Sequence, residues 1–210
     1  FFNYIMLKVK LKNDNININP INSERNGNYM NLKKILVGID GIKAKGEIDR
    51  EVTTIEKDSR KVVEGSMFFA IKGFTTDGTQ YINSAIEKGA KTILVEETTD
   101  IRSLNIPEDV TLIVVPDARY AMAICACNFY DNPSKKVKLI GVTGTKGKTT
   151  TTFMIKEILQ KQGIKTGLVG TIAVYSGDKK LLDSDRTTPE SIELQQYFAQ
   201  MVEDGCQAIV

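Results

Sequence analysis

The chain has 210 residues, a formal net charge of +2, 41% hydrophobic residues and 26% charged residues, proportions of a soluble globular protein with one or two domains. So small a charge gives no argument for a nucleic-acid or membrane-surface partner, and no apolar run approaches the length of a membrane-spanning helix. The chain has no histidine, so a Ser-His or Cys-His nucleophile is excluded within it.

Residues 1–29 hold an asparagine-rich stretch with little periodicity, and are expected to be a disordered leader or a non-native extension. Met30 is then the expected true start. Asn31 can cap a helix whose apolar residues Leu32, Ile35, Leu36 and Ile39 fall at helical spacing. From residue 52 the pattern alternates. Residues 52–55 and 67–71 read as strands, and 81–88 as a helix stopped by Gly89. Residues 92–95 and 111–115 are β-branched strand runs, and 118–130 is a helix ending before Asn132-Pro133. This alternation predicts an α/β domain. Cys125 and Cys127 in the last helix, and Cys206 further on, lie in apolar stretches without a C-x-x-C pair. They read as buried free thiols, as in a cytoplasmic protein.

A second α/β unit comes next. A strand over 137–143 runs into Gly144-Thr145-Lys146-Gly147-Lys148-Thr149-Thr150 and then a helix over 148–162 closed by Gly163. Strand, glycine-rich loop and helix in that order make a phosphate cradle. Gly144 and Gly147 let the backbone approach phosphate oxygens, and the helix N-terminus turns N–H groups toward the anion. Lys148 can reach the outer phosphates and the Thr149 hydroxyl can sit on Mg²⁺. A strand is expected at 166–171, a hairpin or loop at 175–180, and a helix over 189–204 with Thr188 as N-cap and Pro189 as first helical residue. Residues 207–210 begin a strand that is expected to lack part of its pairing, so the chain reads as truncated.

The loop departs from the generic G-x-x-x-x-G-K-[ST] because Val142 stands where the first glycine belongs. The form T-G-T-x-G-K-T, Thr143 to Thr149, resembles the ATP loop of the Mur ligase superfamily. Upstream, Asp58-Ser59-Arg60 and the Gly73 to Gly78 loop with Phe74, Thr75 and Thr76 resemble the UDP-precursor site of the same family. Thr187-Thr188-Pro189-Glu190-Ser191 is similar to the members that add the third amino acid of the peptidoglycan precursor, with Arg186 beside it. Lys146 and Arg186 both stand where the family commonly has asparagine.

The resemblance implies a small N-terminal α/β UDP-precursor-binding domain, residues 30–115, followed by the first part of a mostly parallel-sheet P-loop ATPase domain, residues 116–210. It implies ATP and Mg²⁺ held by residues 144–150, with Lys148 catalytic and Thr149 at the metal. Ser59, Phe74, Thr75, Thr76, Arg186, Thr187 and Thr188 would contact UDP-MurNAc-L-Ala-D-Glu, and diaminopimelate or lysine would be the incoming amino acid. The implied protein is a cytoplasmic monomer without nucleic-acid or membrane partners, and the 210 residues by themselves are expected to be inactive. Another ligase of the superfamily, or a non-catalytic nucleotide or UDP-sugar binding module, remains compatible with these motifs.

Overall fold

The computed structural model describes residues 29–73, 77–184 and 188–210, so the expected leader, residues 1–28 of it, lies outside the described residues. The chain divides into two compact units, the first ending at Phe129 and the second running Tyr130–Val210.

In the N-terminal unit, strand β1 (Met30–Asn31) leads into helix α1 (Leu32–Ile35). The Asn31 side chain accepts from the Lys33 N–H, as an N-cap does. The helix is shorter than its apolar spacing suggests and ends at Leu36, two residues before Gly38 at φ +83°. Strands β2 (Lys43–Lys45), β3 (Glu51–Val52), β4 (Ile55–Glu56) and β5 (Met67–Phe69) come next. Then come α2 (Ile82–Glu87), β6 (Thr92–Glu96), β7 (Thr111–Val115) and α3 (Ala118–Phe129). The sheet order is β2-β7-β6-β5-β4, parallel from β4 to β7, with β2 antiparallel at one edge. The run expected as one strand at 52–55 is two, because β3 pairs with β1 and β4 with β5. Lys43 and Lys45 on edge strand β2 are exposed, a charge pattern that discourages further pairing. Phe68, Ile93, Val95 and Leu112 meet Ile82 and Ala85 of α2 in one core cluster. Helix α3 packs on α1 and β6, so it belongs with the first unit, which reaches past the expected boundary at residue 115.

The C-terminal unit contains β8 (Lys138–Leu139), α4 (Lys148–Lys161), β9 (Thr166–Val169), β10 (Ala173–Ser176), β11 (Lys179–Asp183), α5 (Ser191–Glu203) and β12 (Ala208–Ile209). Its sheet order is β11-β10-β9-β12-β8, with β9, β12 and β8 parallel and β10–β11 an antiparallel hairpin. Strand β12 pairs on both sides, with β8 and β9, contrary to the expectation of an unsatisfied terminal strand. The single-sided strand next to it is β8. Val174, Met201, Cys206 and Ile209 form the core, with Val137 and Phe198. Gly167 lies close beneath α5, and a Cβ there would lie 2.4 Å from the Met201 sulfur, so that side chain would have to shift.

Candidate active site

The phosphate loop grows directly from the sheet. Lys138 and Ile140 donate to Gln207 and Ile209 of the neighbouring strand at 3.0 and 2.8 Å. Beyond Ile140 the ladder stops, which is why the strand expected to reach 143 is short. The chain then turns through Gly144 at φ +157° to Gly147 at φ +80°. Gly147 is the N-cap of α4 in the left-handed region and supplies no capping side chain, so the first-turn N–H groups are left to a ligand. Lys148 folds back over the loop and donates to the Gly144 carbonyl at 2.6 Å. Thr152, buried one turn on, donates to the Thr149 carbonyl at 2.8 Å and braces the start of the helix.

A cavity of about 500 Å³ opens over this loop. Gly144, Lys148 and Thr149 form one wall, Gly170 and Val210 at the ends of β9 and β12 the floor, and Thr188 with Pro189 the far side. It lies outside the carboxyl ends of the parallel strands, where ligands bind in open α/β sheets. Thr145, Lys146, Gly147 and Thr150 are not in its lining; Thr145, Lys146 and Thr150 are exposed. Thr188 is not the N-cap of α5. Glu190 takes that position and its N–H donates to the Glu193 carboxylate at 3.1 Å. That reciprocal cap frees Thr188 to face the cavity, with Pro189 ahead of the helix rather than within it. Arg186 and Thr187 lie outside the described residues.

In the N-terminal unit Ser59 is the expected substrate residue that the structure describes, and it lies past the carboxyl end of β4, beside the parallel strand β5. Ser59 lies after β4 and is buried in the turn that Asp58 organises. Arg60 donates from its backbone N–H and Nε to Asp58 Oδ1 at 3.0 and 2.9 Å, and from its guanidinium end to Oδ2 at 2.8 Å. The Arg60 hydrogen bonds pull the Asp58 carboxyl down to about 2 from its ordinary 3.8. After β5, the loop is closed at its base by a Lys72–Asp77 bridge and a Gly78 N–H bond to the Ile71 carbonyl at 3.0 Å. Only glycine fits at 78, because a Cβ would sit 2.6 Å from that carbonyl oxygen. Phe74, Thr75 and Thr76 lie outside the described residues. Among the described residues no cluster of His, Cys, Asp or Glu is arranged for a metal, so Thr149 is the one metal-site residue expected from the motif. Among them, too, no helix is long and apolar enough to cross a membrane.

The Mur ligase family catalytic-domain model matches residues 51–130, and the Mur ligase middle-domain model matches residues 142–210. The chain belongs to the Mur ligase family. A UDP-N-acetylmuramoyl-L-alanyl-D-glutamate–2,6-diaminopimelate ligase of Clostridium perfringens is 48% identical over 181 residues, 86% of this chain and 36% of that protein. The chain thus spans about a third of the length of the curated relatives it matches. A solved structure of an enzyme of the same description superposes with a TM-score of 0.67 at 22% identity, covering 86% of this chain and 35% of that one. A MurF ligase from Thermotoga maritima in complex with ADP gives 0.50 at 22% identity, over 75% of this chain and 31% of that one. At those identities the two structures speak to the fold.

Several cavity-forming residues carried no motif signal. Gly170 and Val210 were readable only as strand ends, and the rule that ligands sit at carboxyl ends of parallel strands is the signal that points to them. Leu194 and Phe198 of α5 pack in the core of the C-terminal unit and also reach the cavity wall. Asp58 and Arg60 organise the turn around Ser59, a role visible in the D-S-R spacing only once the Asp58 carboxylate is seen bonded back to Arg60.

Proposed function

We propose that the chain supplies the precursor-binding and nucleotide-binding parts of an ATP-dependent ligase that joins diaminopimelate to UDP-MurNAc-L-Ala-D-Glu. The observation that carries this reading is a single cavity walled by Lys148 and Thr149 on one side and Thr188 and Pro189 on the other. It can hold a nucleotide's outer phosphates close to an anionic acceptor. The relative from Clostridium perfringens carries that activity in its description, which favours diaminopimelate over lysine.

The residues present fit a nucleotide. Gly147 keeps open space where a side chain would stand, the first turn of α4 offers uncapped N–H groups, and the Lys148 ammonium lies over the loop. Mg²⁺ bound with ATP would neutralise phosphate charge, with the Thr149 hydroxyl as its protein ligand. The chain's residues contribute position and charge, which is most of what phosphoryl transfer asks of a protein. Lys148 draws the transferred phosphate toward the acceptor carboxylate, and Thr188 at the α5 N-terminus favours an anionic substrate there. Attack by that carboxylate on the γ-phosphorus yields an acyl phosphate and ADP. The amine of the incoming amino acid then displaces phosphate to form the amide. Ser59 and the loop after β5 hold the uridine diphosphate end. The protein is proposed to act in the cytoplasm as a monomer.

The test is ligand binding by the 210-residue chain. Wild type is expected to bind ATP–Mg²⁺ weakly and to prefer UDP-MurNAc-L-Ala-D-Glu over the corresponding tripeptide precursor. Lys148→Ala is expected to weaken ATP by at least about tenfold, the loss of one charge-assisted contact, and to leave precursor affinity unchanged. A chain that binds the tripeptide precursor more tightly belongs to a different ligase of the family. Unchanged ATP affinity in Lys148→Ala removes the phosphate-loop assignment.

A further inference from the structure

Helix α4 has an inverted side chain at its centre. Met154 and Ile158 are exposed, while Lys156 between them is 5% exposed. Burying an ammonium is costly unless something answers its charge. Three groups do. Asp178 Oδ1 lies 3.7 Å from the Lys156 nitrogen, Glu157 Oε1 lies 3.8 Å away, and the Tyr175 ring faces it with its centroid at 5.7 Å. Asp178 is 91% exposed, so its attraction is screened by water. The half-buried Tyr175 face adds a cation–π contact to that screened attraction.

The neighbours on α4 repeat the contact. Phe153, one turn earlier, meets the edge of Tyr175 with centroids 5.9 Å apart. Gln160, one turn later, donates to Asp178 Oδ1 at 2.7 Å. Tyr175 lies on β10 beside a register shift, and Asp178 lies in the turn to β11. Three turns of the phosphate-loop helix thus grip one hairpin. The hairpin's second strand ends at Asp183, and the Ser184 N–H is tied back to the Ile172 carbonyl at 3.0 Å. Thr188 and Pro189, four residues and more after Ser184, stand on the cavity wall opposite Lys148. Lys156 itself is not in that wall, so it can act on ligands only through what it holds.

We propose that Lys156 is a positioning residue whose buried ammonium pins the β10–β11 hairpin to α4 and so sets the Thr188–Pro189 wall relative to the phosphate loop. Its bearing on ligands rests on the reading that this cavity takes nucleotide and precursor together. The position is specific to a long cation. Methionine fills the same channel without charge, and arginine restores the charge and the stacking on Tyr175.

Hydrogen exchange of the 210-residue chain tests the pin without any ligand. Lys156→Met is expected to raise exchange about tenfold in peptides covering 172–184 and 188–190, with α5 beyond its first turn and the N-terminal unit unchanged. Lys156→Arg is expected to return it to within about threefold of wild type, and Asp178→Asn to give a smaller rise than Lys156→Met. Separate titrations with ATP–Mg²⁺ and UDP-MurNAc-L-Ala-D-Glu are expected to give Lys156→Met about tenfold weaker precursor binding, with ATP within about twofold. Wild-type exchange in Lys156→Met overturns the proposal. So does faster exchange throughout the C-terminal unit, which marks a merely structural lysine, and so does failure of arginine to rescue. A wild-type chain that binds neither ligand defeats the functional reading, and the exchange of 188–190 still decides the pin.

Discussion

Gly147 and Gly163 bound the phosphate-loop helix at its two ends and make a matched pair. Their φ angles are +80° and +77°, and a Cβ on either would meet no atom within 4 Å. Alanine at either site therefore brings backbone strain and no clash. Holding an L-residue in the left-handed region costs about 1–2 kcal/mol. At Gly163 the chain cannot shift to relieve that strain, because its N–H is bonded to the Gln160 carbonyl at 2.9 Å and the next residue to Leu159 at 3.0 Å. Gly163→Ala is thus expected to lower the melting temperature of the C-terminal unit by about 4–8 °C per kcal/mol, the sensitivity of a cooperative unit of its size. At Gly147 the loop can relax instead, turning the first N–H groups of α4 away from the cavity. Gly147→Ala is then expected to weaken ATP–Mg²⁺ binding by about 5- to 30-fold, the same strain read as affinity, with ATP affinity in Gly163→Ala unchanged. Thermal unfolding followed by circular dichroism and ligand-observed NMR at millimolar ATP give both quantities. Wild-type ATP affinity in Gly147→Ala, or an equal loss in Gly163→Ala, would refute a binding role for the strained loop.

Two titrating groups give further expected outcomes. The Asp58 carboxyl is held at about 2 in the folded protein against an ordinary 3.8, so its stabilisation is complete above about pH 4 and is lost as pH falls toward 2. Its partner Arg60 is exposed, so the contribution stays under about 1 kcal/mol. Urea unfolding at stepped pH is expected to show wild type losing that increment between pH 4 and 2 while Asp58→Asn does not. An identical pH slope in both would contradict the Arg60 pairing. Burial pushes the Cys125 thiol up to about 12 from 9.0, leaving almost no thiolate at pH 8. Iodoacetamide on the native protein is expected to spare Cys125, and rapid alkylation before unfolding would place it outside the core.

The phosphate loop was legible from residues 143–149 alone, because a cradle for phosphate needs glycines, a lysine and a hydroxyl at fixed spacing directly after a strand. Helices α3, α4 and α5 were legible from their apolar period, and β6 and β7 from their β-branched runs. These are local signals, carried by neighbours in sequence. Strands β1 and β2 gave none. Each is two or three residues long, and each exists only because a distant partner supplies its hydrogen bonds, Glu51–Val52 for β1 and β7 for β2. The split of residues 52–55 between two sheets has the same origin. Tertiary packing also decided which unit owns α3, since it packs on α1 and β6. The cavity is the plainest case. Lys148 and Thr188 are forty residues apart in sequence, and they meet across one space because β9 and β12 end side by side beneath them. The burial of Lys156 belongs there too, since a lysine between Met154 and Ile158 reads as the solvent face of a helix until the hairpin is folded over it.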